Sequence, residues 1–144
     1  MKNAIIFLTV FFLVVSIAAQ NKKEVKFSEK AKAAFAKVYP NATDVKWQKE
    51  GKSYEVEFKQ NGLATSIDID SEGNISETES TIAKSDLPKG VEDYVAMNCK
   101  GWIISEAAKI VNAKGEVKFE AQVSKGKQKK DLFFTKDGTF IVKK

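Results

Sequence analysis

From Phe27 to the C-terminus the apolar pattern runs through one order twice: helical spacing first, then strict alternation punctuated by glycine. No other feature constrains the fold as strongly, because a period near 3.6 cannot form a strand and a period of 2 cannot form a helix. In the first pass, "FSEKAKAAFAKVYPNA" offers Ser28 as N-cap, places Ala31, Phe35 and Val38 on one helical face, and stops at Pro40. The next forty residues alternate and break at Gly51, at Asn61-Gly62 and at Gly73. Asn-Gly between two alternating runs is a strong hairpin signal. The spacing predicts four antiparallel strands, roughly 43–50, 52–60, 63–70 and 75–82.

The second pass opens with "SDLPKGVEDYVAMNC", read as a helix with Val91, Tyr94, Val95 and Cys99 inward, and continues as strands broken at Gly115, Gly126 and Gly138. A shift of about 65 residues lays "YEVEF" on "FEAQV" and "DIDSEGNI" on "FFTKDGTF". Two copies are too few for a solenoid. The expectation is therefore one α+β domain, residues 20–144, built of two repeats (about 25–83 and 84–144). Each repeat would be a helix plus a four-stranded antiparallel sheet, with the helices on one face.

The N-terminus has a different character. "MKNAIIFLTVFFLVVSIAAQNKKE" joins one lysine, an apolar run too short to span a bilayer, and small residues ending near Ala19. These are the three parts of a signal peptide over residues 1–19, so the mature chain is expected in the periplasm or outside the cell. Cys99 is the only cysteine, which removes an intrachain disulfide framework and leaves it as a small buried apolar residue. The net charge of +5 comes entirely from lysine; arginine, the bidentate reader of phosphate, is absent. The runs "NKKEVK" and "KGKQKKD" read as solvated surface, and no nucleic-acid partner is expected.

Catalytic chemistry has little to work with. There is no histidine, which excludes Ser-His, Cys-His and common zinc arrangements. The stretch "DIDSEGNISETE" spaces Asp68, Asp70, Glu72, Gly73 and Glu79 as an EF-hand loop would. Its flanks alternate with strand period instead of forming helices, so it reads as a hairpin turn with no metal or other cofactor. Asp68 and Asp70, two apart on one strand, could serve a carboxylate-based hydrolase only inside a cleft that separates their pKa values.

Strand parity sorts the remaining residues. Val45, Trp47, Tyr54, Val56, Phe58, Leu63, Ile67 and Ile69 point one way, as do Val117, Phe119, Ala121, Val123, Leu132 and Phe134 in the second half. That side belongs under the helices. The opposite side carries Glu55, Glu57, Ser66, Asp68 and Asp70, then Lys118, Glu120, Gln122 and Phe133, and one face of an antiparallel sheet can stay in water. Glu55, Glu57, Asp68, Asp70, Lys118, Glu120 and Phe133 are the candidate binding residues.

Taken together, the signal peptide, "VYPNATDVKW", "GKSYEVEF", "DSEGNI", the "LP" before the second helix and "DLFFTKDGTFI" make the chain resemble the PepSY-like, beta-lactamase-inhibitor-like secreted proteins of Bacteroidota. The resemblance spans essentially the whole mature chain and implies a periplasmic or secreted tandem of helix-plus-sheet units. It also implies binding or inhibition of another protein. The expected function is an exported, non-enzymatic binding module whose partner is another exported protein. The alternatives are a structural envelope or matrix component, a calcium-binding protein, or a carboxylate-based hydrolase.

Overall fold

The computed structural model describes residues 26–142; the signal-peptide reading of residues 1–19 lies outside the described residues. The described residues are α+β, with two α-helices and one seven-stranded antiparallel sheet. Helix α1 (Glu29–Val38) precedes β1 (Thr43–Glu50), β2 (Ser53–Gln60), β3 (Leu63–Asp70) and β4 (Ile75–Thr81). A 3-10 turn (Lys84–Asp86) leads to α2 (Val91–Asn98), then β5 (Ile103–Asn112), β6 (Val117–Lys125) and β7 (Gln128–Thr135). The strands lie in the sheet in chain order, and β4 pairs directly with β5, which joins the two halves.

The strand expectations for the first half hold within two residues. In the second half three strands form, and where a fourth was expected the chain makes only a bridge from Phe140 to Phe134. The bridge and the Ile141 N–H donating to the Phe133 carbonyl cap the outer edge of β7. Helix α2 is shorter than expected because Pro88 and Gly90, the latter at φ 101°, hold the chain out of helix until Val91.

Both helices cover the same face, as register shows. Tyr54, Val56 and Phe58 of β2 stand opposite Ile69, Ile67 and Thr65, and parity carried across β4 and β5 puts Ala121, Val123, Leu132 and Phe134 on that side. Ala31 and Phe35 of α1 close a core with the first group, rimmed by Phe27, Tyr39 and Trp47. Val91, Val95 and Cys99 of α2 close a second core with Ala121, Val123, Leu132 and Phe134. Cys99 is buried and unbridged, as a small apolar residue would be.

Three residues expected in the core are exposed: Val38, Val45 and Leu63. Leu63 follows the Asn61-Gly62 tip, beyond the reach of α1. Val45 lies in an irregularity of the edge strand β1, between Thr43 and Lys46, where Asp44 takes φ 55°. Val38 is the last residue of α1, and it is the next residue, Tyr39, that packs on Phe58 of the sheet.

Three of the turns share one design, and two of them place the helices. In "DSEGN", "NAKGE" and "TKDGT" the first residue and the fifth are joined by a backbone hydrogen bond, and the glycine in fourth position donates back to the first. Each glycine has positive φ, the geometry of a turn closed by a left-handed residue. In the first of these turns Gly73 presses on α1, where a Cβ would meet the Ala34 Cβ at 2.8 Å. In the last, Gly138 presses on the approach to α2, where a Cβ would lie 2.5 Å from the Lys89 carbonyl oxygen. Ser28 caps α1 by accepting from the Ala31 N–H, and its hydroxyl donates to the Ser71 carbonyl in the same turn at 2.6 Å.

Candidate functional site

The face away from the helices is the candidate site. Pairing places Glu55 of β2, Asp68 of β3 and Glu77 of β4 side by side across three neighbouring strands. Adjacent strands lie about 4.8 Å apart, so this is a row of like charges in register. Two residues along, Glu57, Ser66 and Glu79 form the next row, which continues through Ile110 to Lys118. The following one runs from Thr81 through Ala108 and Glu120 to Phe133. Small residues between acidic walls leave a depression of about 300 Å³ lined by Glu55, Glu57, Ala64, Ser66, Glu79, Glu106, Ala108, Glu120 and Gln122, among others.

Crowding makes this face less open than an ordinary solvated sheet surface. Asp68 is only 5% exposed, and Glu120 and Gln122 are as deeply buried. Ile110, on the same face, is 1% exposed under the long side chains around it. Burial and neighbouring acids push carboxyl pKa values up: Glu55 to about 7, with Glu57 and Glu50 reinforcing the burial effect, and Glu79 to about 7, chiefly by burial and Glu77. Asp68 rises to about 6 for the same reason, opposed by the Lys118 ammonium. The buried oxygens Asp68 Oδ1 and Glu79 Oε2 have no hydrogen-bond donor.

Basic groups sit at the margins. Lys118 Nζ is 3.2 Å from Glu77 and 5.6 Å from the centre of the Phe133 ring, which fixes one ammonium on the β6 side. Lys129 reaches Glu106 at 3.3 Å, and Gln122 Nε2 donates to Asp131.

The structure thus brings Glu55, Glu57, Asp68, Lys118, Glu120 and Phe133 onto one face. Asp70 is used differently. Its carboxylate accepts the Glu72 and Asn74 N–H groups and the Asn74 amide, which hold its pKa below the usual range and its side chain in the turn. The loop that resembled an EF-hand therefore joins β3 to β4, and its third-position carboxylate is spent on closing the turn. Asp68 departs from an exposed strand carboxylate because it lies between Glu55 and Glu77 on a central strand. Glu77 and Glu79 were not among the expected binding residues. Their signal is the alternation in "ISETEST", which sets both acids on the face opposite the helices.

Comparison with known proteins places this architecture among relatives. The family described as "Putative beta-lactamase-inhibitor-like, PepSY-like" matches residues 24–77 and 52–142. No curated protein matches the chain. Among solved structures, one described as "putative periplasmic proteins" from Bacteroides eggerthii has a TM-score of 0.73 at 17% identity, covering 82% of this chain and 88% of that one. A BLIP-like protein from Bacteroides fragilis has a TM-score of 0.67 at 24% identity, covering 85% and 88%. A DUF2874 family protein from Bacteroides uniformis has a TM-score of 0.69 at 21% identity, covering 79% and 86%. At these identities the likeness is one of fold.

Proposed function

Because the chain belongs to the PepSY-like, beta-lactamase-inhibitor-like family, we propose that it is an exported, non-enzymatic binding module that engages another exported protein through the uncovered face of its sheet. The observation that carries this reading is the acidic depression itself. A sheet face that holds partly buried carboxylates in cross-strand register works against its own fold, and a partner that covers it relieves the repulsion. The signal-peptide pattern supports export, and a structural relative from Bacteroides eggerthii is described as among "putative periplasmic proteins". Among the described residues no helix is long and apolar enough to cross a membrane.

In this reading the two halves are copies of one unit, and the pairing of β4 with β5 makes their uncovered sides one continuous face. A standard interface needs about 800 Å² from each partner. The test is crosslinking in the native host with the wild type and with Glu55→Lys, Glu57→Lys. A specific exported partner captured by the wild type and lost in the double reversal supports the reading. Capture that survives the reversal removes the binding site from this face, and self-association without any hetero-partner favours a structural role.

A further inference from the structure

We propose that the acidic depression receives cationic side chains, the lysines or arginines of an extended basic segment in the partner protein. This rests on the reading of the uncovered face as a binding surface and names the chemistry of what binds there. The carboxylates are arranged for it. Glu55 and Glu57 on β2, and Glu77 and Glu79 on β4, are each two residues apart on a strand, about 6.8 Å. Alternate side chains of an extended peptide have the same spacing, so a segment lying along β3 with basic residues at every second position meets a carboxylate with each one.

The buried oxygens call for the same ligand. Asp68, on β3 next to Glu55 in the wall of the depression, is 5% exposed and its Oδ1 has no donor; Glu79, itself in that wall, has an enclosed Oε2 without one. Ammonium and guanidinium groups bring several donors and no acceptor, which suits a site rich in acceptors. A bare metal ion is a poor fit, since among the described residues no three acids converge as ligands. The chain already shows the mode of binding at one margin, where its own Lys118 ammonium sits between Glu77 and the Phe133 ring. Glu55 and Glu79, by contrast, form no ion pair among the described residues, and that part of the depression is where an incoming cation has charge left to neutralise.

The probe is a fluorescein-labelled hexa-arginine peptide, titrated into the mature chain at pH 8 and physiological salt and followed by anisotropy. Saturable one-to-one binding is expected even though the full chain's net charge is +5 and removal of Lys2 with residues 1–19 leaves the mature chain at +4. Glu55→Gln with Glu79→Gln should weaken it about tenfold or more, since each lost charge-assisted contact is a sizeable fraction of a decade in affinity. Glu29→Gln with Glu92→Gln makes the same change in net charge on the two helices and should leave affinity within about twofold, as expected for exposed charges screened by salt. Equal losses in both double variants, or no saturable binding, overturn the proposal. A crosslinked partner that needs Glu55 and Glu57 but is not displaced by hexa-arginine also overturns it, while the binding-module reading stands. Dimers dispersed by hexa-arginine would make the occupant the lysine-rich β6–β7 tip of a second copy, and overturn the foreign partner.

Discussion

The two faces of this sheet are built from the same strands and follow opposite rules. On the helix side Val56, Ile67, Val123 and Phe134 are fully enclosed within two apolar clusters. On the other side Glu55, Asp68 and Glu79 are crowded together without helices above them, and their carboxyl pKa values rise to between about 6 and 7. The first face lowers the free energy of the folded chain by removing apolar surface from water. The second raises it. Under the proposed function a partner completes this face, so that stability and binding would divide between the two sides of one layer.

Substitutions should therefore have opposite signs on the two faces. The largest loss is expected for Phe134→Ala, which empties the centre of the α2 core and breaks edge contacts with Tyr94 and Phe140; about 3–5 kcal/mol should be lost in denaturant unfolding. A loss below about 1 kcal/mol would mean the helix-covered face is not where stability resides. Next come the glycines that seat the helices. Gly138→Val meets the Lys89 backbone and Gly73→Val meets Ala34 and the Lys30 carbonyl, both at positive φ, and each should cost about 2–4 kcal/mol, the former more because its backbone oxygen lies closer, at 2.5 Å against 3.1 Å. Equal stability of Gly73→Val and wild type would show that the turn does not lock α1. Smaller again is Ser28→Ala, which removes the N-cap of α1 and its tie to Ser71, with about 1 kcal/mol expected by thermal unfolding.

These expectations also show which parts of the molecule could be read from its residues. Helix α1, the four strands of the first half and the sorting of Glu55, Glu57, Lys118, Glu120 and Phe133 to one face follow from period and glycine position, which are local signals. The depth of Asp68 does not, because its burial comes from Glu55 and Glu77 on neighbouring strands. That information lies in register, and no single strand contains it. Asp70 shares its parity with Asp68, yet the turn captures its carboxylate through Asn74, four residues on. Phe140 alternates like a strand residue but pairs only at one point. Val38 and Val45 fit the apolar pattern, but one is at a helix end and the other on an edge strand, and the core does not extend to either.

The most direct test of the division between faces is the melting temperature of wild type and of Glu55→Gln, Glu79→Gln as a function of pH. Both groups have folded-state pKa values raised from 4.5 to about 7, so the folded protein holds these protons more tightly than the unfolded chain does. Wild-type stability should then fall as pH rises from about 4.5 to 7 and level off above that, through the part these two groups play. Glutamine keeps the shape and carries no charge. The double variant should accordingly match the wild type at pH 4 and melt a few degrees higher at pH 8. A variant that melts lower than wild type at pH 8 would mean the acidic face stabilises the fold, and would contradict the account.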